Sequence, residues 1–140
     1  MLAERPQKKI LVAVRQKDVK AVAEALGTDV GIVFCYTLEE ARAALDSNTC
    51  LVVCGVHFDS GRMFDFLRFV KQDPARQSIP FFIVLGGTGR YSKPILRGIE
   101  SAAKLLGAQQ LLNLPALIEK VGKEEAYRQI RQGVRQFLSG

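Results

Sequence analysis

The 140-residue sequence holds one histidine, three cysteines and no tryptophan, and no apolar run approaches the roughly 20 residues a membrane-spanning helix needs. Each scarcity removes a class of function. Cys50 and Cys54 lack the C-x-x-C spacing of zinc and thiol-redox sites, and with Cys35 they make an odd count set among apolar residues. Buried, reduced thiols in a reducing compartment are the expectation, with no metal site. The lone histidine, His57, has no serine or cysteine placed as its nucleophile, so a base or phospho-acceptor role lacks a partner. Residues 1–9 carry no apolar stretch of a secretory signal, no segment repeats, and there is no low-complexity linker. The expectation is a cytoplasmic protein without a cofactor, away from the membrane, and not an enzyme.

What is present fits one domain over residues 1–140 with a core of its own. Lys plus Arg number 20 against 14 for Asp plus Glu. That excess makes nucleic acid or an acidic protein conceivable partners. The cations are spread along the chain, as on a solvated basic surface.

The most informative stretch is Leu51-Val52-Val53-Cys54-Gly55-Val56-His57-Phe58-Asp59. A short apolar run that ends in Gly, His and Asp reads as a central strand buried on both faces. In open α/β sheets the chemistry sits beyond the carboxyl ends of the strands, so residues 55–59 mark the place to look. Similar strand-like runs occupy residues 9–14, 30–36, 81–85 and 111–114. Helical stripes alternate with them. Val19, Val22, Ala23 and Leu26 follow a cap at Asp18 and stop at Gly27. Thr37 and Glu40 form a capping box before Leu38, Ala41 and Leu45. Met63, Phe66, Leu67 and Val70 precede the break at Asp73-Pro74. Ile95, Ile99, Ala102, Ala103 and Leu106 end at Gly107, and a last helical region runs to Leu138 with a weak point at Gly122. Five strand–helix alternations imply an α/β, flavodoxin-like, doubly wound five-stranded parallel sheet of order 2-1-3-4-5.

The chain also resembles a bacterial response-regulator receiver domain along nearly its whole length. The similarity lies in Lys8-Lys9-Ile10-Leu11-Val12, in Glu39-Glu40-Ala41, in the run from Asp73-Pro74 to Pro80, and in the spacing from Gly107-Ala108 to Pro115. The resemblance implies phosphoryl transfer from a histidine kinase to an aspartate, assisted by magnesium. That chemistry asks for an acidic pair, an acceptor aspartate, a hydroxyl and a lysine. The pair falls on Val14 and Arg15, the acceptor on Gly55, the hydroxyl on Leu85 or Gly86, and the lysine on Leu114. Magnesium takes hard oxygen ligands, Gly55 has no nucleophile, and Leu114 cannot neutralise a phosphoryl oxygen. The expectation is a degenerate, phosphorylation-independent receiver that works by protein–protein contact. Receivers commonly present the fourth helix, fifth strand and fifth helix to a partner or a second copy, so a homodimer through that face is expected.

Other residues admit two readings. Asp59 is either a displaced acceptor or a turn residue with Ser60-Gly61. Gly86, Gly87, Thr88, Gly89, Arg90 and Lys93 resemble an anion-cradling loop before a helix, or a plain flexible loop. Arg128, Arg131 and Arg135 form a basic stripe beside the apolar stripe of Tyr127, Ile130, Val134 and Phe137, with Glu124 placed to pair with Arg128. That stripe is either a solvated flank or a contact surface. The alternative function is a nucleic-acid or anionic-ligand binder using the stripe or the loop.

Overall fold

The computed structural model of the chain describes residues 8–27, 30–86 and 92–138. Strands β1 (Lys9–Ala13), β2 (Ile32–Cys35), β3 (Thr49–Gly55), β4 (Phe81–Leu85) and β5 (Gln110–Asn113) form one sheet in the order β2-β1-β3-β4-β5. All four pairings are parallel. Among the described residues six α-helices accompany them: α1 (Gln16–Leu26), α2 (Leu38–Ala44), α3 (Met63–Gln72), α4 (Lys93–Leu105), α5 (Leu114–Val121) and α6 (Lys123–Leu138). This is the flavodoxin-like architecture that the alternating pattern implies.

β3 lies at the centre, and Leu51, Val52, Val53 and Cys54 are all essentially inaccessible. Its side chains alternate between two cores. Val52 and Cys54 join Met63, Phe66, Phe81 and Ala103 beneath α2, α3 and α4. Leu51 and Val53 join Val22, Leu26, Phe82, Ala126 and Ile130 beneath α1 and α6. Because both faces are covered, the strand has no polar side and shows no period-two pattern. Each fully buried Val or Leu there contributes about 1.5–3 kcal/mol.

Several ends differ from the sequence reading. β1 stops at Ala13, and β2 covers only Ile32–Cys35. β5 ends at Asn113, so Leu114 opens α5 rather than closing the strand. The reason is local: the Asn113 side chain accepts from the Ala116 N–H at 3.1 Å, and Pro115 sits in the first turn, where its missing N–H costs no helical bond. The last helical region is two helices, parted at Gly122, whose φ of 87° ends α5. α1 begins at Gln16, which puts Asp18 inside the first turn instead of at the cap. The Thr37–Glu40 capping box is present at the start of α2. Among the described residues, no helix is long and apolar enough to cross a membrane.

Candidate functional site

The carboxyl ends of β1, β3 and β4 stop level with one another: Ala13 pairs with Cys54, Cys54 with Ile83, and Gly55 with Val84. Val14, Arg15, Gly55, Leu85 and Gly86 therefore meet at one rim. What fills that rim is the chain itself. Val14 is completely buried, and a Cβ added to Gly55 would stand 3.3 Å from its Cγ1. The floor at Gly55 is thus apolar and closely covered.

Beside it lies a charge pair. Arg15 Nε donates to Asp18 Oδ2 at 3.1 Å, and Nη2 reaches Oδ1 at 3.4 Å. The Asp18 N–H also bonds the Arg15 carbonyl at 2.9 Å. Asp18 is only 3% exposed. Its carboxylate leans over the end of β4: a Cβ on Gly86 would fall 2.5 Å from Oδ1. Only a residue without a side chain leaves room for that carboxylate. Sequence reasoning took Asp18 for a helix cap and missed this role. The available signal was the i, i+3 spacing from Arg15, just past the first strand.

Leu114 follows Asn113, which pairs with Leu85, so its backbone lies level with Gly86 at the end of the sheet. It is 2% exposed and packs in the core beneath α1 and α6, because the helix it opens turns it inward. Leu85 is also buried, in the opposite core.

The mouth of the site is a pocket of about 510 Å³ lined by Arg15, Gln16, Tyr36, His57, Asp59, Ser60 and Gly61. Asp59 accepts from the Leu38 N–H at 2.8 Å, so its carboxylate holds the first turn of α2. It does so from a left-handed backbone, with φ of 43° followed by 56° at Ser60. Asp and Ser adopt that region at some cost, and the bond to α2 gives the turn its purpose. His57 is half-buried. Burial first, and then the Arg15 guanidinium, hold its pKa below the ordinary value, against an opposing pull from Asp18. It is a neutral imidazole near pH 7.

Among the described residues no group of three or more His, Cys, Asp or Glu could hold a metal ion. A magnesium ion does not fit the residues present, since a valine covers the floor and a guanidinium already engages the nearest carboxylate. Cys35 and Cys54 are buried, Cys50 is partly exposed rather than buried, and burial pushes the Cys54 thiol well above its ordinary pKa.

The two other candidate surfaces fare differently. Gly87, Thr88, Gly89 and Arg90 lie outside the described residues, while Lys93 is the exposed first residue of α4. The arginine stripe is divided. Arg128 pairs with Glu125, not Glu124, and also bonds Gln132 at 3.3 Å. Arg131 is half-buried and donates from Nη2 to the Glu24 carbonyl at 2.6 Å, in the last turn of α1. Arg135 is exposed, and it lines a groove of about 600 Å³ between α1 and α6 with Lys123, Glu24 and Glu124. The stripe is thus largely used within the chain, with Arg131 capping a helix end.

Comparison with known proteins places the fold. No family model and no curated protein matches the chain. Among solved structures it is similar to the phosphorylated cyanobacterial phytochrome response regulator RcpA, at 17% identity and a TM-score of 0.68 over 96% of this chain and 95% of that one. It is similar to a response regulator receiver domain from Rhodospirillum rubrum, at 18% and 0.63 over 93% and 91%. The chemotaxis response regulator CheY4 of Vibrio cholerae gives 17% and 0.58 over 90% and 98%.

Proposed function

We propose that this chain is a receiver-like signalling module that acts by binding other proteins, without taking up a phosphoryl group. On this reading it is a single domain working in the cytoplasm, not an enzyme. The observation that carries the reading is the filled rim. Phosphoryl transfer depends almost wholly on positioning and on charge stabilisation of the transferred group. At this rim the acceptor position is Gly55 beneath Val14. The nearest buried carboxylate, Asp18, is bound to Arg15 and occupies the space above Gly86. Leu114, at the position of the family's lysine, is turned into a core.

The contact surface that fits this reading is the edge formed by α4, β5 and the helices that follow. β5 is the outer strand of the sheet and its residues are half-exposed or exposed. Nucleic-acid binding through the basic stripe has less support, because Arg131 serves α1 and Arg128 serves Glu125.

The test is incubation with acetyl phosphate and Mg²⁺, read by intact mass. No adduct is expected. An adduct that disappears in Asp59→Asn or Asp18→Asn would show that the acceptor has moved, and would overturn the reading.

A further inference from the structure

The last turn of α1 and one stripe of α6 stand either side of a groove of about 600 Å³. It lies at the far end of α1 from Asp18 and takes no part in the rim. Its volume falls within the roughly 300–1,000 Å³ of small-ligand sites. Glu124, Tyr127, Arg131 and Arg135 line it along α6. They are spaced i, i+3, i+7 and i+11, which puts all four on one face of the helix. On the α1 side Ala23 brings only a methyl group and Gly27 no side chain, so the middle of the groove stays wide.

Charge is sorted along that stripe. Arg131 and Arg135 stand at one end and Glu124 at the other. Lys123 Nζ lies 3.3 Å from a Glu24 carboxylate oxygen, so those two opposite charges largely cancel. Glu124 enters no ion pair or hydrogen bond among the described residues. Two turns separate Glu124 from Arg131, about 10 Å along the helix axis.

Arg131 adds an unmet donor. Its Nη2 donates to the Glu24 carbonyl at 2.6 Å, which fixes the guanidinium between the two helices. Nε of the same group is buried and finds no acceptor among the described residues. Folded chains keep few such donors, because an unpaired buried N–H is costly. A carboxylate matches the fork of a guanidinium, and the long exposed side chains of Lys123 and Arg135 can turn aside to admit one. Glu124 then decides what kind of anion enters. A phosphate dianion would meet its charge, and the carbonyl end of α1 disfavours negative charge as well. A carboxylate whose molecule also carries an ammonium group about 10 Å away satisfies both ends. Three extended peptide residues, at roughly 3.3–3.6 Å each, span that distance.

We infer that the groove between α1 and α6 binds short zwitterionic peptides of about three residues. The terminal carboxylate sits on Arg131 and Arg135, and the terminal ammonium on Glu124. Tyr127 lines the stretch between them. The ligand touches both helices, so it ties α6 to α1 and stabilises the folded chain. The site goes beyond the reading of the chain as a signalling module and does not depend on how the rim behaves.

The experiment is a titration of the isotope-labelled chain with trialanine, followed by amide NMR shifts. N-acetyl-trialanine, trialanine amide and inorganic phosphate are titrated beside it. Saturable shifts are expected at residues 23–27 and 123–135. Trialanine should bind about tenfold more tightly than either blocked peptide or phosphate, which is what one charge-assisted hydrogen bond at a part-exposed site contributes. Glu124→Gln should remove that advantage and leave N-acetyl-trialanine unaffected. Arg135→Gln should weaken trialanine and N-acetyl-trialanine alike and leave the amide unchanged. Both residues are exposed, so both variants should keep the wild-type melting temperature. No saturable shift in the groove at tens of millimolar trialanine overturns the inference. So does equal affinity for trialanine and its acetylated form, which marks a plain anion site, or tighter binding of phosphate. So does an affinity for trialanine that neither variant moves. A phosphoryl adduct in the acetyl phosphate test removes the proposed function without touching this site, and a groove that binds nothing leaves that function standing.

Discussion

Replacing Gly86 by alanine tests whether Asp18 really occupies the rim. The backbone at Gly86 is not left-handed, so on conformational grounds alone alanine should stabilise by about 0.4–1 kcal/mol through the unfolded chain. The contact distances argue the opposite sign. The new methyl carbon would lie 2.5 Å from Asp18 Oδ1, 2.8 Å from Cγ and 3.3 Å from Cβ. The carboxylate must retreat by several tenths of an ångström, and it is fixed in the first turn of α1 with little exposure. Overpacking of this kind costs about 1–3 kcal/mol. Weakening the bonds to Arg15 adds up to about 1–2 kcal/mol, the value of the whole contact when Arg15 is part-exposed. After the conformational gain, a net loss of about 2–4 kcal/mol is expected. Asp18→Ala on its own should cost about 1–2 kcal/mol, since Arg15 is part-exposed and water can reach it. With Asp18 truncated the new methyl has room, so in that background Gly86→Ala should be close to neutral. Urea denaturation of the two single variants and the double variant gives the coupling, expected at about 2 kcal/mol or more. Equal costs for Gly86→Ala in both backgrounds would refute the account of the rim.

Two more outcomes follow from the geometry. Arg131→Met keeps the packed stem but loses the bond to the Glu24 carbonyl, and should destabilise by about 1 kcal/mol in the same assay; Arg128→Met, at an exposed ion pair, should leave the midpoint unchanged. His57 titrates below its ordinary 6.5 in the folded chain, so between those two values the unfolded chain holds the extra proton. Stability is then complete above about pH 6.5 and falls as pH drops through that window. His57→Gln should flatten this part of a stability–pH profile, and an unchanged slope would show that another group sets it.

The fold was legible because its signals are local and repeated. The buried run of β3, the stripe of α3 and the caps at Thr37 and Gly27 each point to the same sheet. The short strand ends were less legible: the pairing of Ile32 with Ile10 on the neighbouring β1 decides where β2 begins, and the Asn113 side chain decides where β5 stops. At the rim, the residues that stand at each family position could be read from order and spacing. How they fill the space could not. The closeness of Asp18 to Gly86 joins residues 68 positions apart in the sequence, and no periodicity reports it. The bond made by Arg131 was hidden for the same reason. Helical spacing places Arg131 on a flank, but the neighbouring α1, which supplies its carbonyl, is visible only in three dimensions.

The packing of α6 on α1 bears on how the chain is made. The face of the sheet that holds Ile10, Val12, Leu51 and Val53 is roofed partly by Ala126, Tyr127, Ile130 and Val134. Those residues are synthesised more than 110 positions after Ile10. At a translation rate of about 5–20 residues per second, the first strand waits on the order of ten seconds for its cover. During that interval the nascent chain carries an open apolar face and parallel edges, which are the features that attract holdase chaperones or premature association. A ribosome stalled before residue 123 would therefore leave α1 and β1 without the cover that α6 supplies, and slower codons just ahead of that point would lengthen the exposure.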